Sequence, residues 1–234
     1  MQSEKDFSSI QKRIGITFKN VDLLQHAMVH RSYINENPSF RLSHNERLEF
    51  LGDAVLELVV TDYLFATFPK AAEGEMTNWR ASLVNSKMLA SVAQKLNIES
   101  LLYLSRGEAK AGFSKARAYI LTNALEALIG AIYLDRGYNT AARFIKKFIL
   151  IELPGVFEKR LDIDPKSRFQ EIAQEKMKIT PHYQVLHEEG PDHAKKFRIG
   201  IFLGQEHVAT GEGTSKQEAQ EEAARAALHE KGWE

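Results

Sequence analysis

Residues 118–135 read Ala-Tyr-Ile-Leu-Thr-Asn-Ala-Leu-Glu-Ala-Leu-Ile-Gly-Ala-Ile-Tyr-Leu-Asp, a helical pattern that is apolar nearly all round. Such a helix is stable only when surrounded on every side, so the chain must build further helices about it. Glu126 stands in the middle of this surface, and an ionised carboxylate there is costly unless paired or bound to metal. Asn123 lies one turn before it and Gly130 one turn after, giving a small polar window in an oily helix. The pattern predicts a helix over residues 116–135 at the centre of a mainly α domain.

Residues 43–65 supply a neighbour for it. Leu48, Leu51, Val55, Leu58 and Val59 recur at helical spacing, and Ser43 with Glu46 has the spacing of a capping box. Glu46, Glu49, Asp53 and Glu57 fall on one narrow stripe with no Lys or Arg four residues on to answer them. Like charges at that spacing each cost a few tenths of a kcal/mol, and Gly52 costs about 1 kcal/mol relative to Ala. A solvated face is the ordinary explanation of such a stripe. A divalent cation held by hard carboxylate oxygens is another, with Gly52 allowing a phosphate or a second helix to approach closely. Two central helices, each with an inward acid, would then present Glu49, Asp53 and Glu126 to a common point.

Charge limits the partners. The 31 basic and 31 acidic residues cancel; 21 against 19 lie before Pro165 and 10 against 12 from there on. Neither part is a generic polyanion binder, so a nucleic-acid partner must be met by local patches. No cysteine is present, which removes disulfides and thiolate metal sites. No unbroken apolar run approaches the ~20 residues needed to span a bilayer. The opening Met-Gln-Ser-Glu-Lys-Asp lacks the basic and apolar regions of a signal peptide. A cytoplasmic protein with no membrane partner is expected.

Around the two central helices, residues 7–14 and 21–30 are helical in spacing, with Asn20 placed to cap the second. His26 and His30 read as surface or satisfied core histidines. After a polar loop at 35–43 and the acid-striped helix over 43–65, Phe68-Pro69 is a stop and residues 73–77 form an acid-rich turn. One helix is expected over 77–96 and another over 141–151, with 106–112 a glycine-punctuated loop. The domain is expected to span residues 1–153, followed by a linker at 154–164.

The period then changes. Residues 166–177 are helical, 182–187, 196–203 and 207–210 alternate as strands, and Ser215 with Glu218 caps an Ala-rich helix to about 229. Helix, three strands, helix within residues 165–233 implies a small α+β domain, an antiparallel sheet with both helices on one face.

The string Asn45-Glu46-Arg47-Leu48-Glu49-Phe50-Leu51-Gly52-Asp53-Ala54-Val55-Leu56 resembles the signature of the ribonuclease III family. His30-Arg31-Ser32-Tyr33, the Glu73-Gly74-Glu75-Met76 segment and the Gly107-Glu108-Ala109-Lys110 loop are similar to further segments of the same family. The second part resembles the double-stranded RNA binding domain through Lys166, Phe169, Gln170, Glu171, Gly190-Pro191-Asp192-His193 and Gly213-Thr214-Ser215-Lys216.

The resemblance implies an all-α endonuclease domain followed by an αβββα RNA-binding domain. It implies divalent-metal-dependent hydrolysis of double-stranded RNA to 5′-phosphate and 3′-hydroxyl ends with short 3′ overhangs. Ribosomal and other structured RNA would be the substrates. Asp53 and Glu126 are the expected catalytic residues; Glu49, Asp53, Asn123 and Glu126 the Mg²⁺ ligands, with Mn²⁺ as a substitute; Glu46 and Glu73 supporting acids. Lys166, Gln170, Glu171, His193, Ser215 and Lys216 would meet RNA through 2′-hydroxyls and phosphates. One carboxylate cluster cuts one strand, so a homodimer is implied.

Two positions depart from the pattern. Asn123 stands where the family most often has Asp, and Gln217 where a second basic residue is usual. Asn123 opens a second reading, a double-stranded RNA binding protein with an impaired nuclease site. A carboxylate-bridged di-iron bundle is disfavoured, because neither Glu49 nor Glu126 is followed by His three residues on.

Overall fold

A computed structural model describes residues 5–112, 114–158, 164–191 and 195–233. The chain divides into two compact units, Met1–Asp162 and Ile163–Glu234.

The first unit is helical. α1 (Ser8–Ile14) and α2 (Val21–Ala27) lead the chain, and Asn20 caps α2 by accepting the Asp22 N–H at 3.0 Å. α3 (Arg31–Glu36) begins after His30, whose Nδ1 accepts the Ser32 N–H. α4 (Glu46–Thr67) carries the signature acids. α5 (Glu73–Val84) and α6 (Ser86–Lys95) replace the single helix expected over 77–96. Asn85 divides them: its backbone is extended, and its side chain accepts the Met88 N–H at 2.9 Å as the cap of α6. The acid-rich turn at Glu73 is therefore the first turn of α5, where carboxylates complement the exposed N–H groups. α7 (Arg106–Lys110) is short, and α8 (Lys115–Arg136) and α9 (Tyr138–Phe148) follow.

α10 (Leu153–Glu158) takes up the first five residues of the expected linker at 154–164, of which 159–163 lie outside the described residues. Val156 is fully buried, and Phe157 meets Phe68 and Trp79 edge-on at centroid separations of 5.8 and 5.1 Å. A Pro-Gly pair suggested an exit, but the apolar residues beyond it fold back onto α4 and α5.

α8 is the axis of this unit. By length and composition alone it could cross a membrane. Its apolar residues from Ile120 to Ile132 are instead buried by neighbouring helices, α4 above all. Each such Leu or Ile contributes about 1.5–3 kcal/mol.

In the second unit α11 (Pro165–Met177) precedes β1 (His182–Glu189), β2 (Lys196–Leu203) and β3 (Glu206–Gly213), and α12 (Lys216–Glu230) closes it. The strands form an antiparallel sheet in the order β1-β2-β3. Phe169 and Ile172 of α11, Ile201 and Leu203 of β2, and Ala223, Ala224, Ala227 and Leu228 of α12 make one core. Alanines on the inner face of α12 let the helix lie close to the sheet.

Candidate active site and RNA-contacting groups

The acids of α4 fall into two kinds. At the ends of the stripe, cations from other helices answer them: Arg31 lies 3.7 Å from Glu46, and Arg80 lies 3.0 Å from Glu57. The middle pair, Glu49 and Asp53, has no ion-pair partner among the described residues. Glu49 Oε2 is buried and accepts no hydrogen bond. A buried oxygen left in that state costs about 1–3 kcal/mol or more if charged, so an external partner is called for.

α8 brings the third acid to the same place. A Cβ built on Gly52 would fall 1.7 Å from the Glu126 carbonyl oxygen and 2.8 Å from Gly130 N. One built on Gly130 would fall 2.3 Å from the Leu48 carbonyl oxygen. The two backbones therefore touch, and Glu49, Asp53, Asn123 and Glu126 flank the crossing. Burial first, then the charges of Asp53 and Glu49, push the Glu126 carboxyl up to about 8. Glu49 is raised by burial and by the Glu46 charge, a rise that hydrogen bonding from the Asn123 side chain opposes and Asp53 reinforces.

Among the described residues no three acidic or histidine side chains are drawn together into a ready-made metal cluster. The donor set still suits a hard divalent cation: every donor is an oxygen of Glu, Asp or Asn, one of them buried and unpartnered, and the carboxylates repel one another.

The expected supporting residues divide. Glu46 sits one turn before Glu49, 3.7 Å from Arg31 and 3.5 Å from His44 Nδ1, the latter without hydrogen-bond geometry. Glu73 is not brought to the cluster within the protomer. It accepts a hydrogen bond from Thr77 and lines a recess with Thr61, Phe65 and Arg80. Phe65 is twelve residues beyond Asp53, about 18 Å along the axis of α4.

Sequence reasoning missed two residues that hold the site in place. Ser43 and Glu46 do not form a capping box: the helix starts at Glu46 behind Asn45, and the Ser43 hydroxyl shares a hydrogen bond with His26. Buried Asn45 stands at the helix start, its side chain donating to the Ala27 carbonyl and its N–H to the Val29 carbonyl, both at 2.9 Å. An Asn immediately before an acidic first turn was the available signal. Arg117, 3% exposed, donates to the Glu108 and Ala111 carbonyls and lies 3.3 Å from Glu99 without hydrogen-bond geometry. It pins the loop around α7 to the start of α8. His26 and His30 are satisfied by local hydrogen bonds, as expected.

The second unit sorts its candidates similarly. Gln170, Glu171 and Lys216 are exposed. Lys216 stands at the first position of α12 with its ammonium 5.7 Å from the Phe197 ring. Lys166 is committed inward: it donates to Gln220 at 2.7 Å and lies over Tyr183, tying α11 to α12. Ser215 accepts the Glu218 N–H as the cap of α12. The Glu218 carboxylate completes this cap through the Thr214 N–H and hydroxyl, one residue earlier than a capping box places it. His193 lies outside the described residues.

Comparison with known proteins agrees with this division. Residues 20–153 match the Ribonuclease-III-like family model, and residues 165–231 match the double-stranded RNA binding motif. Ribonuclease 3 of Carboxydothermus hydrogenoformans is 43% identical over 96% of this chain and 95% of its own. Ribonuclease 3 of Chloroflexus aurantiacus is 44% identical over 94% and 90%. A crystal structure of the nuclease domain of the Campylobacter jejuni ribonuclease III is 39% identical, with a TM-score of 0.57, covering 64% of this chain and 98% of that one. Two family models matched in order, with relatives this similar along nearly the whole length, establish that the chain belongs to the ribonuclease III family.

Proposed function

We propose that this chain hydrolyses phosphodiester bonds of double-stranded RNA at a site built from Glu49, Asp53 and Glu126. The observation that carries the site is the unanswered negative charge at the α4–α8 crossing. Glu49 Oε2 is buried without a partner, and Glu126 is pushed up to about 8 beside two further acids. A divalent cation bound there, Mg²⁺ with Mn²⁺ as a substitute, supplies polarisation of the scissile phosphate and a lowered pKa for the attacking water.

The chain's own residues do the rest. Glu49, Asp53 and Glu126 would hold the cation, and Asn123, beside Glu49, would offer an amide oxygen. Glu46, 3.7 Å from Arg31 and one turn before Glu49, is the supporting acid. Gln170, Glu171 and Lys216 contact 2′-hydroxyls and phosphates of the duplex. The products are 5′-phosphate and 3′-hydroxyl ends, and ribosomal and other structured RNA in the cytoplasm is the substrate. The relatives favour an active enzyme over an RNA-binding protein with a disabled site.

One site per protomer cuts one strand, so the working form is a homodimer. Phe50, Leu58 and Phe65 support this reading: they are 81%, 57% and 72% exposed along one face of α4, an apolar area that a second copy would cover. The test is incubation of the full chain with long duplex RNA with and without Mg²⁺, beside Glu126→Ala. Short duplexes from the unmodified protein alone are expected. Intact RNA bound by both proteins would overturn the assignment.

A further inference from the structure

We propose that the C-terminal end of α8, one face of α9 and the turn after α1 form a binding recess for phosphate groups separate from the carboxylate site. Arg136, Arg143 and Lys147 line a recess of about 420 Å³ together with Gly15, Thr17 and Thr140. No acid lines it. Some basic side chains of this unit are answered by carboxylates, as in Arg41–Asp22, Arg80–Glu57 and Lys95–Glu152, but those are single cations and not a cluster around one recess. Among the described residues, Arg136, Arg143 and Lys147 have no carboxylate partner. The nearest acid in sequence, Asp135, is already engaged, accepting the Lys19 and Asn20 N–H groups at 2.8 Å each.

Three neighbouring cations repel one another, and a chain with equal numbers of acids and bases has no need to leave them together. Arg136 and Lys147 sit in the last turns of their helices, whose partial negative charge holds them without neutralising them. Arg136 spends one N–H on the Thr17 carbonyl at 2.8 Å, and Arg143 one on the Thr140 hydroxyl at 3.3 Å. Their remaining N–H groups and the Lys147 ammonium are donors matched to phosphate oxygens, which Arg can engage in pairs. Gly15, with φ +73°, keeps the wall low: a Cβ there would come within 3.9 Å of the Lys147 ammonium. Arg136 is ten residues beyond Glu126, about 15 Å along α8, so the recess is not the carboxylate site.

The phosphate can belong to a small anion or to an RNA backbone, and two arms of one experiment separate them. The first titrates inorganic pyrophosphate into the full chain without divalent metal, following heat and the amide signals of Gly15, Thr17 and Thr140. The second measures binding of duplex RNA without metal across a salt series. Arg143→Ala/Lys147→Ala is compared with Arg143→Lys/Lys147→Arg, and circular dichroism and Tm confirm that each folds. At least a tenfold loss of pyrophosphate affinity in the alanine pair, restored by the conservative pair, identifies a small-anion site. A lowered RNA affinity, with a salt slope reduced by about 2, identifies RNA phosphate. Unchanged affinity for both probes in a folded alanine pair overturns the proposal.

Discussion

Gly52 and Gly130 face each other across the crossing of α4 and α8, each leaving room for the other helix's backbone. The acids of the site owe their nearness to this contact, because Glu49 and Asp53 flank Gly52 while Asn123 and Glu126 lie on the turns before Gly130. A side chain at position 52 must push against a peptide group, which cannot rotate away. Gly52→Ala is expected to destabilise the first unit by about 3 kcal/mol and to lower cleavage beyond what the unfolded fraction explains. Urea titration and duplex cleavage on the same sample measure both.

Glu126→Gln keeps the shape of the side chain and removes its ability to ionise onto a bound cation. Cleavage is expected to fall at least a hundredfold while duplex binding without metal stays within twofold. Gel shift and product analysis in parallel would detect a failure of either part.

The raised carboxyl of Glu126 makes stability depend on pH. The folded chain holds this proton up to about 8, whereas the unfolded chain releases it near the ordinary value of 4.5. Between those values the folded state binds more protons, so metal-free stability falls as pH rises, by about 1.4 kcal/mol per pH unit at the steepest. Tm measured from pH 5 to 8 is expected to decline, with a shallower decline in Glu126→Gln. Saturating Mg²⁺ should also flatten the decline, since the cation favours the ionised acid.

Asn123→Asp adds a fourth carboxylate beside Glu49 and Glu126. Without metal it should lower Tm through repulsion, and with metal it should bind Mg²⁺ several-fold more tightly. Isothermal titration under both conditions tests the opposite signs.

The two lysines of the second unit should separate by their effects. Lys216→Ala is expected to weaken duplex binding and reduce the salt slope by about 1, leaving Tm unchanged. Lys166→Ala should lower Tm, because it removes the tie to Gln220.

Elements whose apolar period is strong were legible in advance: α8 is placed to within a residue of its expected ends, and β2 coincides with the expected strand. The α4–α8 pairing was legible from Gly52 and from the acid stranded at Glu126. What escaped depended on contacts distant in sequence. Nothing local at Asn85 distinguishes a mid-helix polar residue from a cap that divides two helices. The Ser43–Glu46 spacing fits a capping box, yet the helix starts two residues later, behind Asn45, whose bonds to Ala27 and Val29 set that start. Arg31 and Arg80 answer the outer acids from other helices, so the stripe's division into satisfied ends and an unsatisfied middle had no signal at the i+4 positions. Lys166 matched an RNA-contacting position by resemblance, and only packing revealed that Gln220 and Tyr183 hold it.

The buried Asn45 changes the local mobility of the site. First turns of helices ordinarily open and close at little cost, and their amides exchange quickly with solvent. Here the turn carrying Glu46 and Glu49 begins at a side chain bonded to Ala27 and a backbone bonded to Val29. Fraying α4 from this end requires pulling the α2 terminus with it. The Glu49 amide should therefore exchange in the same slow class as the buried middle of α8, making a helix end one of the stiffest parts of the unit.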